Sequence, residues 1–213
     1  IAEVSGFAAI FLIVKPQDLA ASVAEISDHI TTETVLISLA AGKKIAGIES
    51  GLQGKKIPVI RVMPNTPALV GEGMAAISGG TYCNEKDLAL AEKLLNGTGK
   101  VIRVEEDLQD AVTAVSGSGP AYFFLIIEAM VAAGVKLGLT PEDAHQLSVQ
   151  TIYGAATMLR DSGKTPTTLR ENVTSPNGTT AAALKSLNES GLQEIFSAAL
   201  LAARDRSREL AQG

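Results

Sequence analysis

The run Thr174-Ser175-Pro176-Asn177-Gly178-Thr179-Thr180 sets four hydroxyl side chains around an Asn-Gly turn, directly before the helical pattern Ala181–Leu187. The first backbone N–H groups of a helix have no partner within it, and the helix dipole adds partial positive charge there. Hydroxyls and free N–H groups at such a start can hold a carboxylate without help from a cation. Capping alone needs one hydroxyl, so the excess points to a small acid as ligand.

Met63-Pro64-Asn65-Thr66-Pro67 follows a strand-like run, Ile57–Met63. Two prolines stiffen the loop and fix Asn65, whose carboxamide both donates and accepts. That group suits a carboxamide or a ribose, or else it caps a rigid turn. Val14-Lys15-Pro16 and Leu39-Ala40-Ala41-Gly42 end two earlier strand-like runs. Ligands of open α/β sheets lie just beyond the carboxyl ends of strands, so the first of these is either a ligand edge or a plain strand exit. In the second, small residues let a planar ligand approach the backbone. Ser116-Gly117-Ser118-Gly119-Pro120-Ala121-Tyr122 opens the longest apolar helix. Ser118 or Gly119 at the cap with Pro120 in the first turn is ordinary helix-start chemistry, yet paired glycines also permit close approach of another group. A serine-hydrolase elbow centred on Ser118 needs glycine two residues to either side, where Ser116 and Pro120 stand. His29 and His145 read as solvated or locally bonded residues on helices, with no triad context.

These segments sit in a chain whose grammar changes midway. Phe7–Val14, Thr34–Leu39 and Ile57–Met63 are short and β-branched, and the first is apolar on both faces, as in a parallel sheet covered by helices. Asp18–Ile30 has helical spacing with an Asp to cap its start, and Ile45–Leu52 is a weaker helix. Asn84–Leu95 is amphipathic and stops at Asn96–Gly99 before a strand at Val101–Val104. From about Asp107 helical periods take over, in Leu108–Val115, Ala121–Leu137, Pro141–Leu159, Thr167–Asn172, Thr180–Leu187 and Leu192–Leu210. Turn signals at Ser116–Pro120, Gly138–Pro141, Gly163–Pro166, Ser175–Gly178 and Ser190–Gly191 separate them. The fold class is α/β then all-α: a partial Rossmann-like NAD(P)-binding domain over residues 1–106, then a helical dimerisation or substrate domain over 107–213.

A Rossmann domain carries G-x-G-x-x-G at its first strand-to-helix turn. Nothing before Phe7 supplies it, and Gly71-Glu72-Gly73 puts an acid where phosphate would sit and leads into the strand-like Ala75–Ser78. It reads as a bend between strands. The phosphate loop is expected upstream of Ile1, in a first βαβ unit of roughly 50 residues. A beginning at Ile1 rather than Met, close to a core strand, suggests an incomplete start.

With 213 residues, 46% hydrophobic and 19% charged, the chain reads as a soluble globular protein with one or two cores. A net charge of −5 with scattered Lys and Arg argues against nucleic acid and anionic membranes as partners. Phe7–Val14 and Ala121–Ala133 fall short of a bilayer span of roughly 20 residues and read as buried core. No basic segment marks a secretory signal. Cys83 is the single cysteine, so no intrachain disulfide is possible and a reducing cytoplasm is the default location. It reads as an unreactive thiol, Met130 and Met158 read as helix-core fillers, and no residue cluster has metal-ligand spacing.

Taken together, VKPQ at Val14–Gln17, SLAAG at Ser38–Gly42, VIRVMPNTPALVGEGM at Val59–Met74, AVTAVSGSGPAY at Ala111–Tyr122 and NVTSPNGTTAAAL at Asn172–Leu184 resemble the pyrroline-5-carboxylate reductase family in order and spacing, over nearly the whole chain. The resemblance implies reduction of the C=N bond of 1-pyrroline-5-carboxylate to L-proline with NADPH or NADH, the last step of proline biosynthesis. It implies homodimers through the helical domain, commonly assembled into decamers. By the same resemblance Val14, Lys15, Pro16, Ala40, Ala41, Met63, Pro64 and Asn65 surround the ribose and nicotinamide. Ser175, Gly178 and Thr179 hold the substrate carboxylate, and Thr180 bonds the ring nitrogen. Ser116, Gly117, Ser118, Gly119, Pro120 and Ala121 wall the cleft where the two ligands meet. The carboxylate loop typically comes from the partner subunit, so the dimer is part of the site. Asn177 departs from the pattern, standing where the family usually has glycine. Two other readings stay open. One is a β-hydroxyacid-dehydrogenase-like NADP reductase, whose catalytic lysine neither Lys136 nor Lys164 matches by motif. The other is a non-enzymatic helical dimerisation or regulatory module with a degenerate nucleotide domain.

Overall fold

Short β-branched runs are apolar on both faces only where a sheet is covered on both sides, and β2 (Val35–Ser38) is buried at all four residues. The structure, a computed structural model, describes residue 4 and residues 6–212; Ile1 lies outside the described residues. β1 (Ala9–Leu12), β2 and β3 (Val59–Met63) run parallel, with Leu12 beside Ser38 and Ser38 beside Arg61. β4 (Gly73–Gly79) returns antiparallel to β3, and β5 (Gly99–Arg103) runs parallel to β4. A parallel neighbour needs a crossover of a dozen or more residues. Only a loop and the 3₁₀ turn Thr66–Val70 join β3 to β4, so β4 comes back antiparallel. The bend expected at Gly71-Glu72-Gly73 is there: Gly71 is left-handed at φ 74°, and β4 starts at Gly73. A Cβ on Gly73 would stand 2.7 Å from the Thr98 carbonyl, so glycine is required for this close approach.

Alternation along the strands decides the faces. Leu36 and Val59 pack with Leu19, Val23 and Ile26 of α1 (Leu19–Ser27) and with Ile45 and Ile48 of α2 (Ile45–Gly51). Val35, Ile37, Ile60 and Val62 pack on the other face with Ala91 and Leu95 of α3 (Glu85–Leu95). Each such side chain, fully buried, contributes about 1.5–3 kcal/mol. α3 begins with a capping box, in which Asn84 accepts from Lys86 and Asp87 while Asp87 accepts from the Asn84 N–H. Asp18 caps nothing with its side chain, contrary to expectation. The 3₁₀ turn Pro16–Asp18 already carries it into helical backbone, and its carbonyl accepts from the Ser22 hydroxyl.

Arg61 is a charged residue inside a buried strand, only 4% exposed. Its Nη1 donates to Glu106 Oε1 at 3.3 Å, and the same oxygen accepts the Ile45 N–H at 2.7 Å. Lys44, at the N-cap of α2, offers no side-chain cap. Glu106 therefore serves as that cap from 61 residues away and pairs the buried guanidinium at once. Cys83 is half-buried and donates to the Val59 carbonyl at 3.1 Å. Burial, the largest influence, pushes its thiol above the ordinary value, while a backbone hydrogen bond at Gly80 opposes the shift.

Past β5, α4 (Gln109–Val112) passes into a π-helical turn, Thr113–Gly117, and then through Ser118 into α5 (Gly119–Lys136). The π step is fixed by the Ser118 N–H donating to the Thr113 carbonyl at 2.9 Å. The chain bends at Ser118, which ends the π turn with helical backbone angles before α5 begins at Gly119, so the punctuation expected at Ser116–Pro120 narrows to this one residue. α6 (Pro141–Asp161), α7 (Pro166–Asn172), α8 (Thr179–Glu189) and α9 (Leu192–Gln212) follow. The chain forms two compact units, residues 1–120 with 200–213, and residues 121–199. In the second, Gly134 brings α5 against Ala144 of α6, where a Cβ would meet the Ala144 methyl at 3.1 Å.

Several apolar segments expected in the core are not covered. β1 has β2 as its one strand partner among the described residues, and Phe11 on it and Phe7 and Ile13 beside it are exposed. α5 is apolar nearly all round but packs along part of its circumference, leaving Phe123, Phe124 and Leu125 between 55% and 66% exposed. Met130 and Met158 are likewise exposed rather than core fillers. By length and composition the helical run Glu106–Lys136 could cross a membrane, which corrects the expectation that no stretch is long enough. His29 lies in the turn after α1, not on a helix, because that helix ends at Ser27; His145 is on α6, and both are exposed.

Glu106→Ala leaves the Arg61 charge buried alone and the α2 start uncapped. It is expected to lower stability by about 2–4 kcal/mol in urea denaturation, with Glu106→Gln, which keeps an acceptor, losing less. Since burial raises its pKa and cuts the thiolate fraction, Cys83 is expected to react with iodoacetamide at pH 8 more slowly than a free cysteine.

Candidate functional site

Three parallel strands bring three of the singled-out segments to one sheet edge. β1 exits into Val14, Lys15 and Pro16, β2 into Ala40 and Ala41, and β3 into Met63, Pro64 and Asn65, all past strands whose ends are in register. The Leu39 N–H donates to the Leu12 carbonyl at 3.1 Å, and the Ala40 N–H to the Ser38 hydroxyl at 3.3 Å, so the exits of β1 and β2 are held together. Lys15 and Ala41 are exposed, Ala40 is buried, and Val14, Pro16, Met63, Pro64 and Asn65 lie between. Gly42 takes left-handed backbone at φ 72°, which turns the chain back toward α2. This carboxyl edge is where open α/β sheets bind their ligands, and Ala40 and Ala41 bring only methyl side chains to it.

Asn65 does not cap the turn that it opens. It stands at the N-cap of the turn Thr66–Val70 but makes no capping bond with its side chain. Its Oδ1 accepts the Met74 N–H at 2.8 Å, and its Nδ2 faces both the carbonyl and the hydroxyl of Ser116 at 3.3 Å. The loop after β3 is thereby tied to the π turn that carries Ser116 and Gly117. Gly117 lies against Met63, whose terminal methyl would be 2.3 Å from any Cβ there. Past the bend at Ser118, Gly119, Pro120 and Ala121 begin α5. Sequence reasoning missed this coupling, although a Pro-Asn loop with an excess of polar atoms was a signal for it. It also missed the Arg61–Glu106 pair, for which the signal was an arginine in the middle of VIRVM.

The hydroxyl-rich segment lies in the second unit, and its backbone follows the expected form. Asn177 occupies the left-handed region at φ 58°, which asparagine tolerates better than most residues. The Gly178 N–H donates to the Ser175 carbonyl at 3.1 Å, closing the turn, and Gly178 becomes the N-cap of α8 with extended backbone. A Cβ on Gly178 would lie within 2.3 Å of the Ser175 hydroxyl. The neighbouring helices show what is unusual: Thr140 caps α6 and Thr165 caps α7 through their side chains, whereas α8 has no side-chain cap despite Ser175, Thr179 and Thr180 around its start. The N–H groups of its first turn are left for an anion.

Comparison with known proteins bears on both units. A family profile described as "Pyrroline-5-carboxylate reductase dimerisation" matches residues 106–210. A pyrroline-5-carboxylate reductase of Corynebacterium melassecola is 46% identical over 204 residues, covering 94% of this chain and 75% of that protein. The solved structure of a pyrroline-5-carboxylate reductase from Coxiella burnetii superposes with a TM-score of 0.92 at 40% identity, covering 97% of this chain and 77% of that one. A Plasmodium falciparum pyrroline carboxylate reductase structure with NADP bound has a TM-score of 0.85 at 33% identity, covering 96% and 77%. With a strand edge suited to a dinucleotide, an uncapped helix start suited to a carboxylate, and relatives of this closeness over nearly its full length, the chain belongs to the pyrroline-5-carboxylate reductase family.

Proposed function

We propose that the protein reduces the C=N bond of 1-pyrroline-5-carboxylate to L-proline with NADPH or NADH, using the strand exits for the cofactor and the α8 start for the substrate. The observation that carries the substrate half is the α8 N-terminus, left without a side-chain cap among hydroxyls. Val14, Lys15, Pro16, Ala40, Ala41, Met63 and Pro64 hold the ribose and nicotinamide, and Asn65 stands in the same loop. Bound there, the cofactor supplies a hydride. Ser175, Gly178 and Thr179 take the carboxylate through backbone N–H groups and hydroxyls, and Ser116–Ala121 walls the space in which substrate meets cofactor. Thr180 hydrogen-bonds the ring nitrogen and orients the imine.

A protonated imine is already electrophilic, so the protein chiefly contributes position and polar contacts rather than a nucleophile. This accounts for a site without a catalytic histidine. The division of labour we propose runs 1–106 for the nucleotide and 107–213 for dimerisation and substrate. The exposed apolar surface of α5 meets a second copy of the chain rather than lipid, and dimers build further, to decamers. A cytoplasmic location without nucleic-acid partners fits the acidic charge balance.

The full-length protein is expected to oxidise NADPH, followed by loss of absorbance, when pyrroline-5-carboxylate is added. Thr180→Ala is expected to lower kcat by about 10- to 100-fold, the loss of one hydrogen bond worth about 1–3 kcal/mol in a water-poor site. Unchanged kinetics in that variant contradict the role given to Thr180.

A further inference from the structure

Asn65 uses its carboxamide in a way that leaves little for a ligand. One end accepts from Met74, at the start of β4, and the other faces two oxygens of Ser116, in the π turn. Three chain segments meet on this one group: the exit of β3, the start of β4 and, 51 residues beyond Asn65, the helical run that becomes α5. A π turn inserts one extra residue into a helix and is uncommon outside sites where a group must be re-aimed. This one sets Ser116 toward Asn65 and Gly117 against Met63, whose methyl fills the space a side chain would need. The amide is half-buried, and a carboxamide with its donor and acceptor both engaged is held in one orientation.

We propose that Asn65 is a positioning residue for hydride transfer. It locks the Met63–Pro64 edge to Ser116–Gly117 and acts through that backbone, not as a direct ligand of carboxamide or ribose. The proposal rests on the reductase reading above. Asn65→Asp keeps the size of the side chain and an acceptor for the Met74 N–H, but sets a carboxylate against the Ser116 carbonyl. Asn65→Ala removes both ends. A residue that aims one reactant at another changes the chemical step more than the affinity.

The test compares both variants with the wild-type full-length protein by NADPH affinity, kcat, the isotope effect with NADPH deuterated at the transferred position, and amide hydrogen exchange. Expected are a fall in kcat of about tenfold or more in both variants and a dissociation constant for NADPH within about threefold of wild type. The isotope effect should rise as hydride transfer becomes rate-limiting, and exchange should quicken at Ser118, whose N–H makes the π-turn bond. A merely less stable protein would lower the active fraction and leave the isotope effect unchanged, which overturns the proposal. So does a tenfold loss of NADPH affinity with kcat retained, since Asn65 would then be a direct ligand. Exchange at Ser118 equal to wild type in both variants also overturns it, and that reading needs no activity. A wild-type protein that oxidises no NADPH sinks the reductase reading instead, while the exchange result still decides whether the lock exists.

Discussion

A guanidinium in the middle of a buried strand persists only with a carboxylate against it, and much of the first unit is arranged around meeting that demand at Arg61. Glu106 meets it from the segment that follows β5. Because the same oxygen also receives the Ile45 N–H, the pair fixes where α2 begins and so how the chain turns after β2. Arg61 is two residues short of Met63. One ion pair thus holds two of the three strand exits in relation to each other, with the start of the long helical run as the third party. Exposed pairs such as Arg103 with Glu85 and Glu92 contribute far less, because solvent screens them.

The two candidate segments, one in each unit, treat their polar groups in opposite ways. At the strand edge, Asn65 is committed internally to Met74 and Ser116, so its loop presents a stiff shape. At α8 no side chain caps the first turn, unlike at α6 and α7, so its N–H groups keep no side-chain partner. Rigidity suits a face that must aim a flat ring, and unmet N–H groups suit a carboxylate. Reduction of a protonated imine asks for little beyond position and polar contacts.

How much of this was legible in the residues follows from which forces are local. The strands, the helices and the shared carboxyl edge come from periodicity and β-branching, and they appear within a few residues of expectation. So does the turn at Ser175–Gly178 that starts α8, since Asn177 and Gly178 act within one turn of chain. What sequence reading missed is long-range or cooperative. The glycines and proline of Ser116–Pro120 favour a turn by local propensity, yet contacts with Met63 and Asn65, more than 50 residues upstream, keep the segment helical through a π step, with a bend only at Ser118. Asp18 is a good cap by type, but Pro16 starts a 3₁₀ turn ahead of it. The apolar faces of β1 and α5 look like core to any local rule, although Phe11 and Phe123 are exposed among the described residues; composition alone does not separate a face buried within these residues from one that other protein surface covers.

The account stands most directly on where the hydride goes. With NADPH carrying deuterium at the transferred position and pyrroline-5-carboxylate as the acceptor, NMR of the product formed by the full-length protein is expected to show L-proline with one deuterium on its δ carbon, the former imine carbon. Proline without deuterium at that carbon, or no proline at all, would contradict it.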